Sequence, residues 1–275
     1  MGSILNVNIY GLKARINCLG SEEKEDVARL LSLFLKDETE EAEVILDFRK
    51  KETGQEIGCL LFPHLARKGI WAMHSGGFHF HGGHLTTGPS DCGKSTFSHM
   101  AMKNGFDLLS DDITLLRETP DGVEMLPFYS TMYMKSGTIS PERERYKPAT
   151  LKFLILPKVI TPATIYVKDV IPAKAGIQNR LGCRIESGMT YDMFNCRSNK
   201  NGSIFLNKVK KKIDLLRKLV PQFLWSYNRD EQKRQKRFLE MMCHYPAYEV
   251  YWGSGLFHDH TLFRMILDEI VQSEG

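Results

Sequence analysis

The chain opens with Leu5, Val7 and Ile9 alternating with Asn6 and Asn8, the two-residue period of a half-buried strand. Residues 21–36 shift to helical spacing. Ser21 suits an N-cap, Glu22 and Glu23 suit the first turn, and Val27, Leu30, Leu31 and Phe34 fall on one face. Val44-Ile45-Leu46-Asp47-Phe48 and Ile57-Gly58-Cys59-Leu60-Leu61-Phe62 read as further strands. Residues 1–65 are therefore expected to form a small α/β region without evident chemistry.

The texture changes at Ile70. Ile70-Trp71-Ala72-Met73-His74 is a short apolar run, Gly82-Gly83 is a tight-turn dipeptide, and His84-Leu85-Thr86-Thr87 leads into a glycine-bearing loop. Apolar residues at helical spacing follow, ending near Asn104 and Gly105, a residue suited to a helix C-terminus. Phe106–Ser110 reads as a strand ending at Asp111-Asp112, and 113–116 and 123–126 form a hairpin around Thr119-Pro120-Asp121-Gly122. Residues 137–150 read as loop, 151–156 and 164–167 as strands, 204–220 and 229–243 as helices broken at Pro221, 248–252 as a strand and 262–271 as a closing helix. Residues 66–275 are taken as one core domain.

Composition narrows the classes. The 275 residues are 42% hydrophobic and 25% charged, ordinary for a globular chain. A net charge of +4, from 37 basic and 33 acidic residues, is too small to argue for nucleic acid as a partner. No apolar run is long enough to span a bilayer, no signal pattern opens the chain, and Asn6 stands where a myristoylation motif needs Ser or Thr. The six cysteines (18, 59, 92, 183, 196 and 243) form no C-x-x-C pair, as expected of reduced thiols. A cytoplasmic protein with no membrane partner is expected, and a homo-oligomer is allowed for.

Gly88-Pro89-Ser90-Asp91-Cys92-Gly93-Lys94-Ser95 matches G-x-x-x-x-G-K-[ST], the loop whose backbone N–H groups converge on phosphate oxygens. It follows a strand-like run and opens a helix, as such a loop must. Gly88, Ser90, Asp91, Cys92, Gly93, Lys94, Ser95 and Thr96 are the expected contacts to ATP, with Lys94 on the β- and γ-phosphates. Ser95 and Asp111 are the expected Mg²⁺ ligands. Of Asp111 and Asp112 one would hold the metal and the other act as general base; the residues leave open which.

His74, the loop 88–96, and Gly105-Phe106-Asp107-Leu108-Leu109-Ser110-Asp111-Asp112 together resemble the catalytic core of HPr kinase/phosphorylase. The match covers about residues 70–135, and Tyr245–Tyr251 is similar to a late strand of HPr-kinase-like proteins of peptide-modification clusters. The resemblance implies an α/β fold: a P-loop core of the HPr kinase/phosphoenolpyruvate carboxykinase type, a mixed sheet with flanking helices. It also implies that His74 lies near the transferred phosphate and that an aspartate activates a serine hydroxyl. Asp91 replaces the family's usual glycine, Thr96 its Glu, and Asn104 its Arg, and no second signature of the E-V-R-G type follows. These departures point away from HPr itself and from phosphorylase activity. They suit the divergent branch whose members phosphorylate small peptides such as lasso-peptide precursors. The expected activity is transfer of the γ-phosphate of ATP to a Ser or Thr of a peptide or small protein. A regulatory nucleotide-binding module without catalysis and a small-molecule kinase are the rival classes.

Other clusters carry less. His79, His81 and His84 could face a metal but have no Cys or carboxylate partner, and exposed hairpin histidines are expected; His258-Asp259-His260 reads as a helix-entry loop. Lys135, Arg143 and Arg145 lie where they could touch phosphate, yet nothing sets their geometry. Lys208, Lys210, Lys211, Lys212, Arg229, Lys233, Arg234, Lys236 and Arg237 make the C-terminal third basic, either solvated helix faces or a docking surface for an acidic peptide. Val170–Gln178 resembles a translated interspersed palindromic repeat, which makes 170–190 an expected surface insertion; a native substrate loop is the alternative.

Overall fold

The computed structural model describes residues 3–36, 41–49, 55–129, 132–134, 137–139, 146–159, 194–199, 202–252 and 260–274. Strands β1 (Ser3–Ile9), β2 (Leu12–Cys18), β3 (Leu35–Lys36) and β4 (Val44–Phe48) form a sheet in the order β3-β1-β2-β4, with helix α1 (Ser21–Leu30) against β1 and β2. Tyr10 and Gly11, both at positive φ, make the two-residue turn between β1 and β2. In β2, Leu12, Ala14, Ile16 and Cys18 are buried in alternation with Lys13, Arg15 and Asn17, a strand the sequence reading passed over.

Two expectations for this region are corrected. The helix at 21–36 stops at Leu30, because Leu35 and Lys36 leave to pair with β1, and its N-cap is Gly20 rather than Ser21. The strand expected at 57–62 is helix α2 (Gln55–Arg67). Ile57, Leu61 and Leu65, spaced four apart, are all fully buried, so one helical face carries the packing. A short apolar run does not distinguish strand from buried helix by period alone.

The larger sheet contains β5 (Ile70–His79), β6 (Gly83–Thr87), β7 (Asp107–Ser110), β8 (Ile113–Thr119), β9 (Gly122–Leu126), β12 (Ala149–Val159), β13 (Phe194–Asn199), β14 (Gly202–Lys208) and β15 (Ala247–Trp252). Strands β10 (Met132–Met134) and β11 (Gly137–Ile139) pair separately. The order is β13-β14-β15-β12-β6-β5-β8-β9, with β7 also on β5 and β9 returning to pair with the start of β12. Parallel (β6-β12-β15) and antiparallel pairings coexist, so the sheet is mixed. Helices α3 (Lys94–Lys103) and α6 (His260–Gln272) cover one face through Phe97, Met100, Phe263 and Ile266. Helices α4 (Lys212–Leu219) and α5 (Arg229–Met242), joined through a 3-10 turn at Val220–Gln222, cover the other through Leu215, Leu219, Phe238 and Leu239.

The helix expected from 204 begins only at Lys212, because 202–208 pairs with β15 as β14. Pro221 sits in the 3-10 turn, where it ends α4 as expected. The strand expected at 164–167, the whole of the 170–190 insertion reading, and His258 and Asp259 lie outside the described residues, as do Lys135, Arg143 and Arg145. No helix among the described residues is long and apolar enough to cross a membrane.

Not all the hairpin histidines are exposed: His84 is fully buried, its ring stacked 5.1 Å from Phe78 and its Nε2–H donated to the Phe80 carbonyl at 2.8 Å. Burial pushes its pKa down to about 4 from 6.5, so the folded protein holds it neutral. Below pH 6.5 the unfolded chain takes up this proton and the folded one does not, so stability falls as pH drops from 6.5 towards 4. Urea unfolding should show wild type losing about 2 kcal/mol more than His84→Phe between pH 7.5 and 5. Equal losses would mean that His84 is not held neutral.

Candidate active site

The site is organised about the middle of β5. Ser75 of β5 stands opposite Thr87, the last residue of β6, on one side. On the other side β5 pairs with β7 at Gly77↔Ser110 and with β8 at His74↔Ile113. The Asp111-Asp112 corner therefore passes beside Ser75 and Gly76. The loop 88–95 and the aspartates reach β5 from opposite edges, roughly 10 Å apart at two strand spacings. β5 lies between β6 and β7, antiparallel to both.

Hydrogen bonds tie the two edges together. Thr87 Oγ1 donates to the His74 carbonyl at 3.3 Å, Ser75 N–H to the Asp112 carbonyl at 2.8 Å, and Thr114 Oγ1 to the Ser75 carbonyl at 3.0 Å. Ser98 of α3 donates to the Ser110 carbonyl at 3.2 Å. This contact requires Gly76, since a Cβ there would lie 2.5 Å from Ser98 Oγ and 2.7 Å from Thr86 Oγ1. Helix, loop strand and aspartate corner are thus held as one unit.

Within the loop, Asp91 has φ +60° and Gly93 φ +109°. Asp is one of the few non-glycine side chains that tolerate this left-handed region. Gly93 is more demanding, because a Cβ would lie 2.3 Å from Trp252 Cζ2. Trp252, at the end of β15, braces the entry to α3, a role the sequence reading did not assign. No side chain caps α3 at Gly93. Lys94 is buried and its ammonium donates to the Gly88 and Pro89 carbonyls at 2.9 and 3.0 Å. Cys92 packs under Gly88, where burial pushes its thiol pKa up despite nearby Lys94, so it serves packing and not nucleophilic chemistry. Pro89, Ser90 and Asp91 are exposed, whereas Ser95 and Thr96, in the first turn of α3, are half-buried.

Of the predicted acid–base residues, His74 and Asp112 are brought together, with His74 Nε2 3.1 Å from Asp112 Oδ1 and both half-exposed. Asp111 is buried. The environments of the two aspartates differ although their sequence positions do not suggest which is which. Among the described residues no three His, Cys, Asp or Glu side chains converge as a metal cage, and His79, His81 and His84 make none. That does not count against Mg²⁺, which is held by one or two carboxylates plus phosphate oxygens.

A second polar cluster lies towards the C-terminal ends of β12 and β15, where the register pairs Val159 with Trp252. Glu249 is buried, with the Lys158 and Lys218 ammoniums each 2.8 Å from Oε1. Asn207 and Tyr251 donate to Oε2 at 2.9 and 3.0 Å. Burial alone would raise this carboxyl's pKa, but the two lysines outweigh it and hold it down at about 2. Its signal in the sequence, a Glu within an apolar strand, was legible only as a position.

Against known proteins, no family model matches the chain and no curated protein matches it. Among solved structures 42 chains match. One is the HPr(Ser) kinase/phosphatase from Coxiella burnetii, 18% identical over 37% of this chain and 71% of that one, with a TM-score of 0.29. So faint a likeness does not bear on the chemistry, which is read from this chain's own residues.

Proposed function

We propose that this protein is an ATP-dependent kinase that transfers the γ-phosphate to a Ser or Thr hydroxyl of a peptide or small protein. The observation that carries this reading is the meeting at Ser75 of the loop 88–95, which enters an uncapped helix, with the His74–Asp112 pair. The uncapped first-turn N–H groups, the helix dipole and the Lys94 ammonium suit a triphosphate. Ser95 and Asp111 suit Mg²⁺, which when bound neutralises charge on the phosphates. That leaves Asp112 as the base, with His74 donating to its carboxylate and fixing its orientation. The acceptor oxygen forms a bond to the γ-phosphorus, the bond to the β–γ bridging oxygen breaks, Asp112 takes the hydroxyl proton and ADP departs. Catalysis of this type is positioning and charge neutralisation.

The test is incubation with γ-labelled ATP, Mg²⁺ and a degenerate pool of Ser- and Thr-containing peptides. Label on peptide hydroxyls is the expected result. Nucleotide binding without transfer would favour the regulatory module, and label on free serine in place of peptides would favour a small-molecule kinase.

Asp91 gives a separate expectation. Its exposed carboxylate sits in a loop that would face a polyanion, and glycine suits φ +60° at least as well. Asp91→Gly should tighten ATP binding about fivefold by calorimetry, through removal of one like charge. Weaker binding would mean that the carboxylate assists the site.

A further inference from the structure

β6 pairs with β5 only from Ser75 onward, so residues 70–74 have one edge that β6 does not cover. There the segment after the 3-10 turn comes alongside, with Met73 bridging Phe223 and Leu224 N–H donating to the Ala72 carbonyl at 3.0 Å. Between this segment, β5 and α2 lies a cleft of about 250 Å³ whose lining includes Phe62, Trp71, Phe223, Trp225 and Tyr227. Trp71 and Phe223 form the buried floor as part of the core, Phe62 and Trp225 are partly buried along the walls, and Tyr227 stands 95% exposed at the surface. The walls are preorganised: Gln235 of α5 donates to the Leu224 carbonyl at 3.1 Å and accepts from Ser226 N–H at 2.9 Å.

The residues lining the cleft carry no charge, and cationic side chains stand beside it. Arg234 lies 5.6 Å from the Trp71 ring centre, and the exposed Arg67 approaches Glu231 no closer than 3.9 Å. Exposed Lys236 and Arg237 continue along α5, while Lys233 is engaged with Asp230 and the nearby Glu231 is buried against Ser226. The cleft also shares its edge of β5 with the loop 88–95. Trp71 and His74 are three residues apart on that strand, roughly 10 Å at strand rise.

We propose that this cleft docks the acceptor itself: an extended acidic segment whose aromatic or long aliphatic side chain enters among the rings. The span from Trp71 to His74 places that anchor about three residues from the phosphorylated hydroxyl. Arg67 and Arg234 read the acidic flank, and the aromatic walls hold the anchor. The inference rests on the kinase reading for what it delivers, but docking is separable from transfer.

The test is retention of fluorophore-labelled full-length protein on an oriented array of short Ser-containing peptides in which flanking charge and the position of one Phe are varied. Selection for acidic flanks with Phe about three residues from Ser is expected, with retention weakened about tenfold by Tyr227→Ala and by Arg234→Glu. Both substituted residues are exposed, and thermal melting checks that the variants fold. Lys94→Ala should retain the same peptides, since docking needs no nucleotide; if it does so while no transfer occurs with wild type, the kinase reading fails and the docking site stands. Absence of selection, selection for basic flanks, or unchanged retention by both cleft variants overturns the proposal.

Discussion

Asp112→Asn should reduce phosphate transfer about a thousandfold while leaving the affinity for Mg·ATP within a few-fold of wild type. Asparagine keeps the shape and can still accept the His74 N–H, but it cannot take a proton from the acceptor. The split between rate and affinity matters because the two aspartates occupy different environments, Asp111 buried and Asp112 half-exposed beside His74. If Asp112→Asn raised the Mg²⁺ requirement and Asp111→Asn removed only the rate, the two assignments would be exchanged. If neither substitution affected transfer, the kinase mechanism proposed for this corner would be wrong. His74→Gln should cost about tenfold, less than Asp112→Asn, since it disturbs orientation and not the proton acceptor itself.

Lys94→Ala should weaken ATP binding by about a hundredfold, from the loss of charge-assisted bonds to phosphate. The substitution also removes the donations to the Gly88 and Pro89 carbonyls, so the loop loses an internal strut along with its cation. Lys94→Met separates the two effects only in part, because it fills the space but donates nothing. Calorimetric titration of wild type and both variants, with melting temperatures as a fold check, provides the comparison. Affinity that survives both substitutions would show that the loop does not hold a triphosphate.

The loop, the helix after it and the hairpin at 113–126 were legible because each is local. Gly93, Lys94 and Ser95 are consecutive, and the Schellman-type ending of α3, with Phe106 N–H on the Ala101 carbonyl and Gly105 N–H on the Met102 carbonyl, needs only a glycine at the right place. The α2 segment and 204–208 were misread because short apolar runs satisfy strand and helix alike until a neighbour chooses between them. For Ile57, Leu61 and Leu65 packing selected a helical face; for 202–208 the edge of β15 selected a strand.

From the sequence alone came the candidate chemistry: a glycine-bearing loop with lysine and serine at its end, an aspartate pair one helix later, and a histidine before them. Those are properties of residue type and spacing, which survive without coordinates. The tertiary structure decided how they meet. β5 runs between the loop and the aspartates, Asp112 and not Asp111 receives His74, and Trp252, from a strand more than a hundred residues later, closes against Gly93. Such relations depend on strand order and on close approach between distant segments, and no local pattern of hydrophobic and polar residues encodes either one.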